Sequence, residues 1–208
     1  MLPNYSIDNN GVIHQIAYSP FVYDAEYVDI RYAGLPQLTD EMSHLRLGFI
    51  RGAVDISITS ILDVGYGTGD FLRLCKKVIP NCYGNDLFKD RLPEGCKFVD
   101  DITEQHYDMI TFFDSLEHFE DINFVKDLKC NYVTISVPWC HNINITWFEN
   151  WKHRRPDEHL HHFEIKSLNK FMEQCGFELI TYDNVEDIIR KPVDNLPNIL
   201  TAVFKKRK

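Results

Sequence analysis

The chain has 208 residues, of which 44% are hydrophobic and 25% are charged, as expected for one globular domain with its own core. Its formal net charge of -9 argues against a general nucleic-acid surface, which needs a basic face. No apolar run is long enough to span a membrane, and we expect no signal peptide. The six cysteines show no Cys-x-x-Cys spacing, which favours reduced thiols and a cytoplasmic protein.

The N-terminal part is rich in tyrosine. Residues 1–35 are predicted to be irregular, with a short helix over 23–32. A second helix is predicted to begin at Thr39 and to stop at Gly52. We interpret residues 1–52 as an N-terminal cap segment on a single domain that spans the whole chain, 1–208.

The central motif is Ile61-Leu-Asp-Val-Gly-Tyr-Gly-Thr-Gly-Asp-Phe-Leu72. Its β-branched residues predict a strand, its glycines a tight turn, and the apolar residues from Phe71 onwards a helix. Glycine lets a ligand lie against the main chain, and the first N–H groups of a helix are free to bind the polar atoms of that ligand. Asp63 precedes the turn, where it can meet a cationic ligand.

Further strands and helices follow in alternation. A helix is predicted after the fourth strand of the sheet, with one face formed by Phe119, Ile122, Val125 and Leu128. Another is predicted from Ser167 to Cys175, where Gly176 ends it. The strands predicted after the glycine turn are 82–86, 96–99, 107–114, 132–138, 177–182 and 199–204.

The Asp-x-Gly-x-Gly-x-Gly pattern of 63–69 resembles the first motif of the class I S-adenosylmethionine methyltransferases. In that family the acid–glycine turn holds the methionine part of the cofactor. The resemblance implies an α/β fold with a Rossmann-like seven-stranded sheet, helices on both faces and an antiparallel last strand. The chain departs from many relatives at Tyr66, where they have Cys or Ser. The alternative is a strand-to-helix turn without a ligand.

The cofactor residues are predicted from the strand ends. Asp86, about twenty residues past the glycines, can accept both ribose hydroxyls, although a solvated strand-end Asp is the alternative. Of the adjacent acids Asp100 and Asp101, we prefer Asp101 for the adenine amino group because it abuts the apolar Ile102. The full predicted set for S-adenosylmethionine is Asp63, Gly65, Tyr66, Gly67, Asp86, Leu87, Asp101, Ile102 and Phe113.

The segment Asp114-Ser-Leu-Glu-His118 follows the fourth strand. It resembles the ubiquinone-biosynthesis-like branch, as does His162-Phe163 leading into a Ser-Leu helix that ends in Gly-Phe. The resemblance places His118 at the sulfur end of the cofactor, and its ordinary pKa of about 6.5 suits a general base. Equally, Asp114 and Glu117 read as a capping box, with His118 only in the first helical turn.

Residues 139–163 contain all three tryptophans and five of the nine histidines. They follow the carboxyl end of a strand, where open α/β sheets bind ligands. We interpret the segment as a substrate-roof insertion, and the alternative is a structural cap packed on the sheet. The predicted acceptor-binding residues are Trp139, His141, Trp147 and Trp151.

A metal site is a weaker possibility, and none is expected. Asp114, Glu117 and His118 stand at i, i+3 and i+4, and His161 precedes Phe163-Glu164 much as a metal-binding His does in small-RNA 2′-O-methyltransferases, which this stretch resembles. Two carboxylates and two imidazoles suit Zn²⁺ or Mn²⁺ better than Mg²⁺. The net charge, and Asp114 where those enzymes have Glu, count against an RNA enzyme.

The sequence therefore predicts an S-adenosylmethionine-dependent methyltransferase that modifies an oxygen of a small molecule, lipid or sugar. Two alternatives stay open: a catalytically inactive cofactor-binding partner subunit, and a metal-dependent RNA 2′-O-methyltransferase. The intact acids and glycines of the first motif favour the enzyme. The expected partner is a small-molecule acceptor, and the oligomeric state is not indicated.

Overall fold

The computed structural model describes residues 3–21, 36–192 and 195–208, so the helix predicted over 23–32 lies outside the described residues. The strands are β1 Tyr5–Ile7, β2 Ile13–Gln15, β3 Ser60–Val64, β4 Asn81–Asn85, β5 Lys97–Phe98, β6 Tyr107–Phe113, β7 Cys130–Pro138, β8 His161–His162, β9 Phe177–Asp183 and β10 Ile199–Lys206. The α-helices are α1 Pro36–Ala53, α2 Asp70–Cys75, α3 Ile145–Asn150, α4 Ile165–Gln174 and α5 Asp187–Arg190. Short 3-10 helices cover Lys89–Arg91, Leu116–His118 and Asn123–Asp127.

The main sheet has seven strands in the order β5-β4-β3-β6-β7-β10-β9. The first five are parallel, and β10 runs antiparallel to both of its neighbours. This confirms the predicted Rossmann-like sheet with its antiparallel last strand. Successive side chains of β3 enter different cores, Ile61 on one face and Leu62 on the other. Both faces are therefore covered, as the apolar parallel strands require.

A second, smaller sheet pairs the hairpin β1–β2 with β8. The expectation that residues 1–35 are irregular is therefore wrong for Tyr5–Ile7 and Ile13–Gln15. Strands of three residues carry too little alternation for the pattern to be read. The small sheet packs on a separate apolar cluster, formed by Tyr5, Ile13, Cys140, Phe148 and Trp151. The hairpin and the 139–163 segment thus share one small core, which we call the cap core.

Several element boundaries differ from the predictions. Helix α1 begins at Pro36, because proline's fixed φ suits the first helical position. The helix predicted after the fourth strand is wrong: the chain forms the 3-10 helix Asn123–Asp127, where the Asp121 side chain accepts from the backbone N–H of Asn123. Asp and Asn side chains that bond the local backbone in this way compete with helix formation.

Two further expectations concern the cysteines and membrane-spanning segments. All six cysteines have free thiols. None of the helices in the described part of the chain combines the length and the apolar character needed to cross a membrane.

Candidate active site

The glycine turn joins β3 to α2 at the carboxyl edge of the parallel strands. Gly65, Gly67 and Gly69 have φ of 78°, 53° and 76°, which L side chains rarely adopt. A Cβ on Gly65 would also lie 2.6 Å from Cβ of Ser115. The turn therefore needs glycine both for its backbone conformation and for its close approach to the chain after β6.

Asp63 lies beneath this turn and is only 3% exposed. Thr111 Oγ1 donates to its Oδ1 over 2.6 Å, which ties β3 to β6. Burial raises the pKa of Asp63 to about 6, although the Thr111 hydrogen bond and the charge of Arg46 oppose that shift. The carboxylate is thus part of the support for the turn.

Asp86 closes the turn from β4. Its Oδ2 accepts from Gly67 N–H at 2.9 Å, and its Oδ1 accepts from Phe88 N–H at 3.2 Å. Leu87, next to it, is 73% exposed. Asp86 and Leu87 therefore offer a carboxylate and an uncovered apolar side chain side by side.

The side chain of Tyr66 is buried in one of the two main cores. Its ring lies against Gly84, where an added Cβ would come within 2.6 Å of the ring, and its hydroxyl donates to Phe88 O at 2.7 Å. Burial, with Asp86 and Asp90 nearby, raises the pKa of Tyr66 to about 12. The ring is therefore packed in the core, and only the backbone of Tyr66 takes part in the glycine turn.

The remaining predicted cofactor residues lie on neighbouring strand ends. Asp101 Oδ1 accepts from the N–H and the hydroxyl of Thr103 at 2.8 and 2.7 Å, and these bonds lower the pKa of Asp101. Ile102 packs against the main core. Phe113 is buried and meets Phe71 edge to face, with ring centroids 4.9 Å apart.

Asp114, the residue after β6, is held by two arginines. Arg46 donates to Asp114 Oδ2 at 3.1 Å, and Arg190 binds both carboxylate oxygens. The guanidinium of Arg46 also bonds Glu186 at 2.8 Å and lies 4.2 Å from the Phe113 ring centre. This arginine cluster links α1, β6 and α5 over the glycine turn.

The capping-box interpretation of Asp114 and Glu117 is wrong. The 3-10 helix Leu116–His118 has Ser115 at its N-cap and no side-chain cap bond. The Ser115 hydroxyl instead donates to Val64 O at 2.7 Å, which holds the helix against the end of β3. The start of this 3-10 helix is thereby fixed beside the glycine turn.

The orientation of the His118 ring follows from one contact. Its Nδ1 lies 2.8 Å from the carbonyl oxygen of Glu158. A carbonyl oxygen only accepts, so Nδ1 carries the proton and the neutral ring keeps a lone pair on Nε2. That Nε2 is 3.9 Å from Oε1 of Glu117, which is 1% exposed.

His159 completes this group. It is 2% exposed, and its ring centroid lies 4.8 Å from that of His118. Its Nδ1 is 2.8 Å from His153 O, so its Nε2 also keeps a lone pair. Burial lowers the pKa of His159 to about 2, which leaves the ring neutral. Sequence reasoning missed His159, because the run of histidines gave no reason to prefer it to His161.

The four residues weighed as metal ligands are not brought together as a set. His161 contacts His14, with 2.7 Å between their Nδ1 atoms, and its Nε2 lies 2.7 Å from Phe119 O. Asp114 belongs to the arginine cluster. Among the described residues, Glu117, His118 and His159 instead each offer one ligand atom within 4.8 Å of the others.

The tryptophans of the 139–163 segment form stacked pairs. Trp139 stacks on His141, with centroids 5.5 Å apart, and His141 Nε2 lies 2.6 Å from Pro197 O. Trp147 stacks on Trp151 at 5.3 Å. An open concavity of about 820 Å³ is lined by Asn144, Ile145, Thr146, Trp147, Asn150 and Trp151.

A continuous series of rings joins that concavity to His118. Trp151 meets His153 at 5.5 Å, His153 meets His159 at 6.5 Å, and His159 meets His118 at 4.8 Å between centroids. The predicted acceptor residue Trp151 and the predicted base His118 are therefore linked by packed, mostly buried rings.

Comparison with known proteins gives one family. A family model described as "Methyltransferase domain" matches residues 30–182. Among curated proteins, none matches the sequence.

Solved structures give the same fold. The Burkholderia thailandensis 1,6-didemethyltoxoflavin-N1-methyltransferase, with its substrate and S-adenosylhomocysteine bound, is 15% identical, with 99% of this chain and 100% of that chain covered and a TM-score of 0.58. Magnesium protoporphyrin IX methyltransferase from Synechocystis is 13% identical, with coverages of 91% and 90% and a TM-score of 0.58. A complex of the Haloferax volcanii Trm112 methyltransferase activator with a methyltransferase gives 12% identity, coverages of 90% and 100%, and a TM-score of 0.61.

Proposed function

Because this chain belongs to the methyltransferase-domain family, we propose that it transfers the methyl group of S-adenosylmethionine to an oxygen atom of a small-molecule acceptor. It is an enzyme, and S-adenosylmethionine is its expected cofactor. The observation that carries the proposal is the glycine turn, whose Gly67 N–H is fixed by Asp86 at the edge of the parallel strands. That edge is where open α/β sheets bind nucleotides.

The cofactor is assigned to the strand ends in three parts. Gly65 and Gly67 would hold the methionine part, Asp86 would accept from the ribose hydroxyls, and Leu87 and Ile102 would contact the adenine, whose amino group would donate to Asp101. Phe113 and Asp63 support the turn from below. In this assignment the bound adenine would cover the exposed side chain of Leu87.

The acceptor is assigned to the other side of the glycine turn. The stacked tryptophans and His141 supply flat apolar surfaces, which suit a small organic acceptor. Two of the similar structures are named for small-molecule substrates, a didemethyltoxoflavin and a magnesium porphyrin. The net charge of -9 also disfavours a polyanion such as RNA.

The chemistry follows from the lone pair on His118. The acceptor hydroxyl gives its proton to Nε2 of His118 as its oxygen forms a bond to the methyl carbon. The carbon–sulfur bond breaks, and its electron pair stays on sulfur, which leaves S-adenosylhomocysteine. Alignment alone can supply roughly 7–11 kcal/mol of the barrier reduction, and a general base adds about 10²–10⁴-fold.

Three finer assignments belong to the same proposal. The Leu-Glu-His at 116–118 and the Ser-Leu helix α4 support the ubiquinone-biosynthesis-like branch. Residues 1–208 act as one domain, in which 1–52 is an N-terminal cap segment and 139–163 is the roof over the acceptor. Free thiols at all six cysteines support a cytoplasmic protein.

Calorimetry with S-adenosylhomocysteine tests the cofactor assignment. Asp86→Asn keeps an oxygen for Gly67 N–H but loses the charge that the ribose hydroxyls bind, so we expect binding about 10–100-fold weaker. Asp90→Asn, an exposed acid on the following 3-10 helix, is the matched control and should bind like wild type. No heat with wild type, or equal affinities for both variants, contradicts the assignment.

A second measurement separates the enzyme from a cofactor-binding partner subunit. One similar structure is a complex with an activator protein, so the reaction is assayed on the chain alone with labelled cofactor and a small-molecule extract. Label should enter a small-molecule product with wild type and not with His118→Asn, while both bind cofactor. Cofactor binding without any labelled product would support the partner subunit.

A further inference from the structure

The group Glu117, His118 and His159 has features that the methyl-transfer proposal does not use. The first two residues lie on the 3-10 helix after β6, and the third lies just before β8. The two segments are fixed to each other by the backbone, because Leu160 N–H donates to Glu117 O at 2.8 Å. Residues distant in the chain are thus held in a rigid, mostly buried arrangement.

The two histidines are oriented in the same way. The Nδ1 of His118 bonds Glu158 O and the Nδ1 of His159 bonds His153 O, each at 2.8 Å. Histidines that bind metals usually donate their second ring nitrogen to a carbonyl or a carboxylate, which fixes the tautomer. Both Nε2 lone pairs are therefore directed by contacts that resemble those around metal ligands.

Glu117 supplies a carboxylate to the same point. Its side chain is 1% exposed, and one of its oxygens lies within 4.8 Å of the ligand atoms of both histidines. A buried carboxylate is favoured by a cation at short range.

We propose that Glu117, His118 and His159 bind one divalent transition-metal ion, most favourably Zn²⁺. Two imidazoles and one carboxylate are a known ligand set of catalytic zinc, which keeps a fourth position open for water or substrate. Mg²⁺ prefers oxygen ligands and fits this set poorly. The set differs from the one read from the sequence, since Asp114 and His161 are engaged elsewhere.

The inference rests on the proposed function and refines its proton step. An acceptor hydroxyl that binds at the open position loses its proton more readily and releases it to water. The oxygen then attacks the methyl carbon, and the electron pair of the carbon–sulfur bond goes to sulfur as before. His118 is then a ligand, and it holds the metal rather than the proton.

Metal binding is measured directly, on full-length protein without a histidine tag. The protein is stripped with chelator, dialysed and titrated with Zn²⁺, and Co²⁺ loading is followed by its visible absorption. Wild type should bind one ion per chain with a tetrahedral Co²⁺ spectrum. His159→Gln and Glu117→Gln should weaken binding by more than about 100-fold, since losing a ligand costs more than losing an outer-shell partner.

The matched control is His161→Gln, which changes a buried histidine two residues from His159 but outside the group. It should bind Zn²⁺ like wild type, and thermal melts show that each variant is folded. Weak binding by wild type, or an equal loss in His161→Gln, overturns the inference.

Cofactor binding is measured on the same stripped samples. If cofactor binds and Zn²⁺ does not, the metal inference fails and the proposed function stands with His118 as base. If cofactor does not bind to stripped or Zn²⁺-loaded protein, the proposed function fails, whatever the metal result.

Discussion

The proposed cofactor half of the site takes most of its residues from the ends of strands that follow one another in the chain, β3, β4 and β5, and from the turn after β3. The proposed acceptor half draws on the hairpin β1–β2, the 3-10 helix at 116–118 and the 139–163 segment. The first half is attached to the main cores, whereas the second combines the cap core with main-core residues such as Leu116 and Phe163. Mutations confined to the cap core should therefore affect the second half and leave the first unchanged.

This separation suits the chemistry. The donor is the same molecule in every turnover of such an enzyme, so its site can be built into the rigid sheet. The acceptor side carries the specificity, and segments attached to a scaffold can vary without disturbing the sheet.

The largest expected effect is confined to the cofactor half. Gly65→Val places a β-branched side chain at φ 78° and a Cβ 2.6 Å from that of Ser115. The strain alone costs roughly 1–3 kcal/mol, and the turn must move, so we expect no measurable heat with S-adenosylhomocysteine. Gly52→Val, where an added Cβ meets nothing within 4 Å, is the control. Near-normal cofactor affinity in Gly65→Val would contradict the assignment of the cofactor to this turn.

The next effect is a pH dependence of the cofactor half. The pKa of Asp63 is about 6 in the folded chain against an ordinary 3.8, so folding favours the protonated form. The stability from this group is fully present below pH 3.8 and is lost as the pH rises through 6. At about 1.36 kcal/mol per pKa unit, the loss is on the order of 3 kcal/mol.

Urea denaturation at several pH values checks this. Relative to Asp63→Asn, the wild-type free energy of unfolding should fall between pH 4 and pH 7. A difference curve that stays flat from pH 4 to pH 7 would refute the assignment.

A smaller effect should appear only in the acceptor half. Trp147→Ala removes an aromatic wall of the concavity, and an aromatic contact with the acceptor would contribute about 0.5–1.5 kcal/mol. We expect the KM for the acceptor to rise up to about 10-fold while the Kd of the cofactor stays the same. Glu149→Ala, an exposed change on the same helix, should alter neither. Equal losses of both affinities with a lower Tm would favour a purely structural cap.

The smallest effect concerns adjacent acids. Asp101→Ala should weaken cofactor binding a few-fold, through the lost adenine contact and the loosened Thr103 turn. Asp100→Ala, which removes only the exposed pair with Lys89, should have no effect. If Asp100→Ala weakens cofactor binding and Asp101→Ala does not, Asp100 is the residue that binds the adenine.

The cofactor half was easier to predict from the sequence than the acceptor half. The strand, glycine turn and helix around Asp63 were readable because every determinant lies within a dozen residues. The buried strands β6 and β7 were readable from their continuous apolar runs. The seven strands and the antiparallel last strand of the sheet came from the family resemblance, which did not supply the order of the strands.

The parts that escaped prediction depend on distant partners. The three-residue strands β1 and β2 are stable only against β8, so their own sequence carries little signal. Asp114 was interpreted as a helix cap because its actual partners, Arg46 and Arg190, lie far from it in the sequence. His159, and not His161, lies beside Glu117 and His118. A backbone hydrogen bond from Leu160 to Glu117 holds the two segments together there.

The pairing of Ile13 with His162 also has a consequence for how the molecule is made. The hairpin leaves the ribosome early, but its partner strand is synthesised much later, and closing so long a loop carries an entropic cost. Strand β10, which lies between β7 and β9 in the main sheet, is synthesised later still. Both sheets are therefore expected to close only after β8 and β10 have left the ribosome, so a growing chain should hold neither cofactor nor acceptor before then.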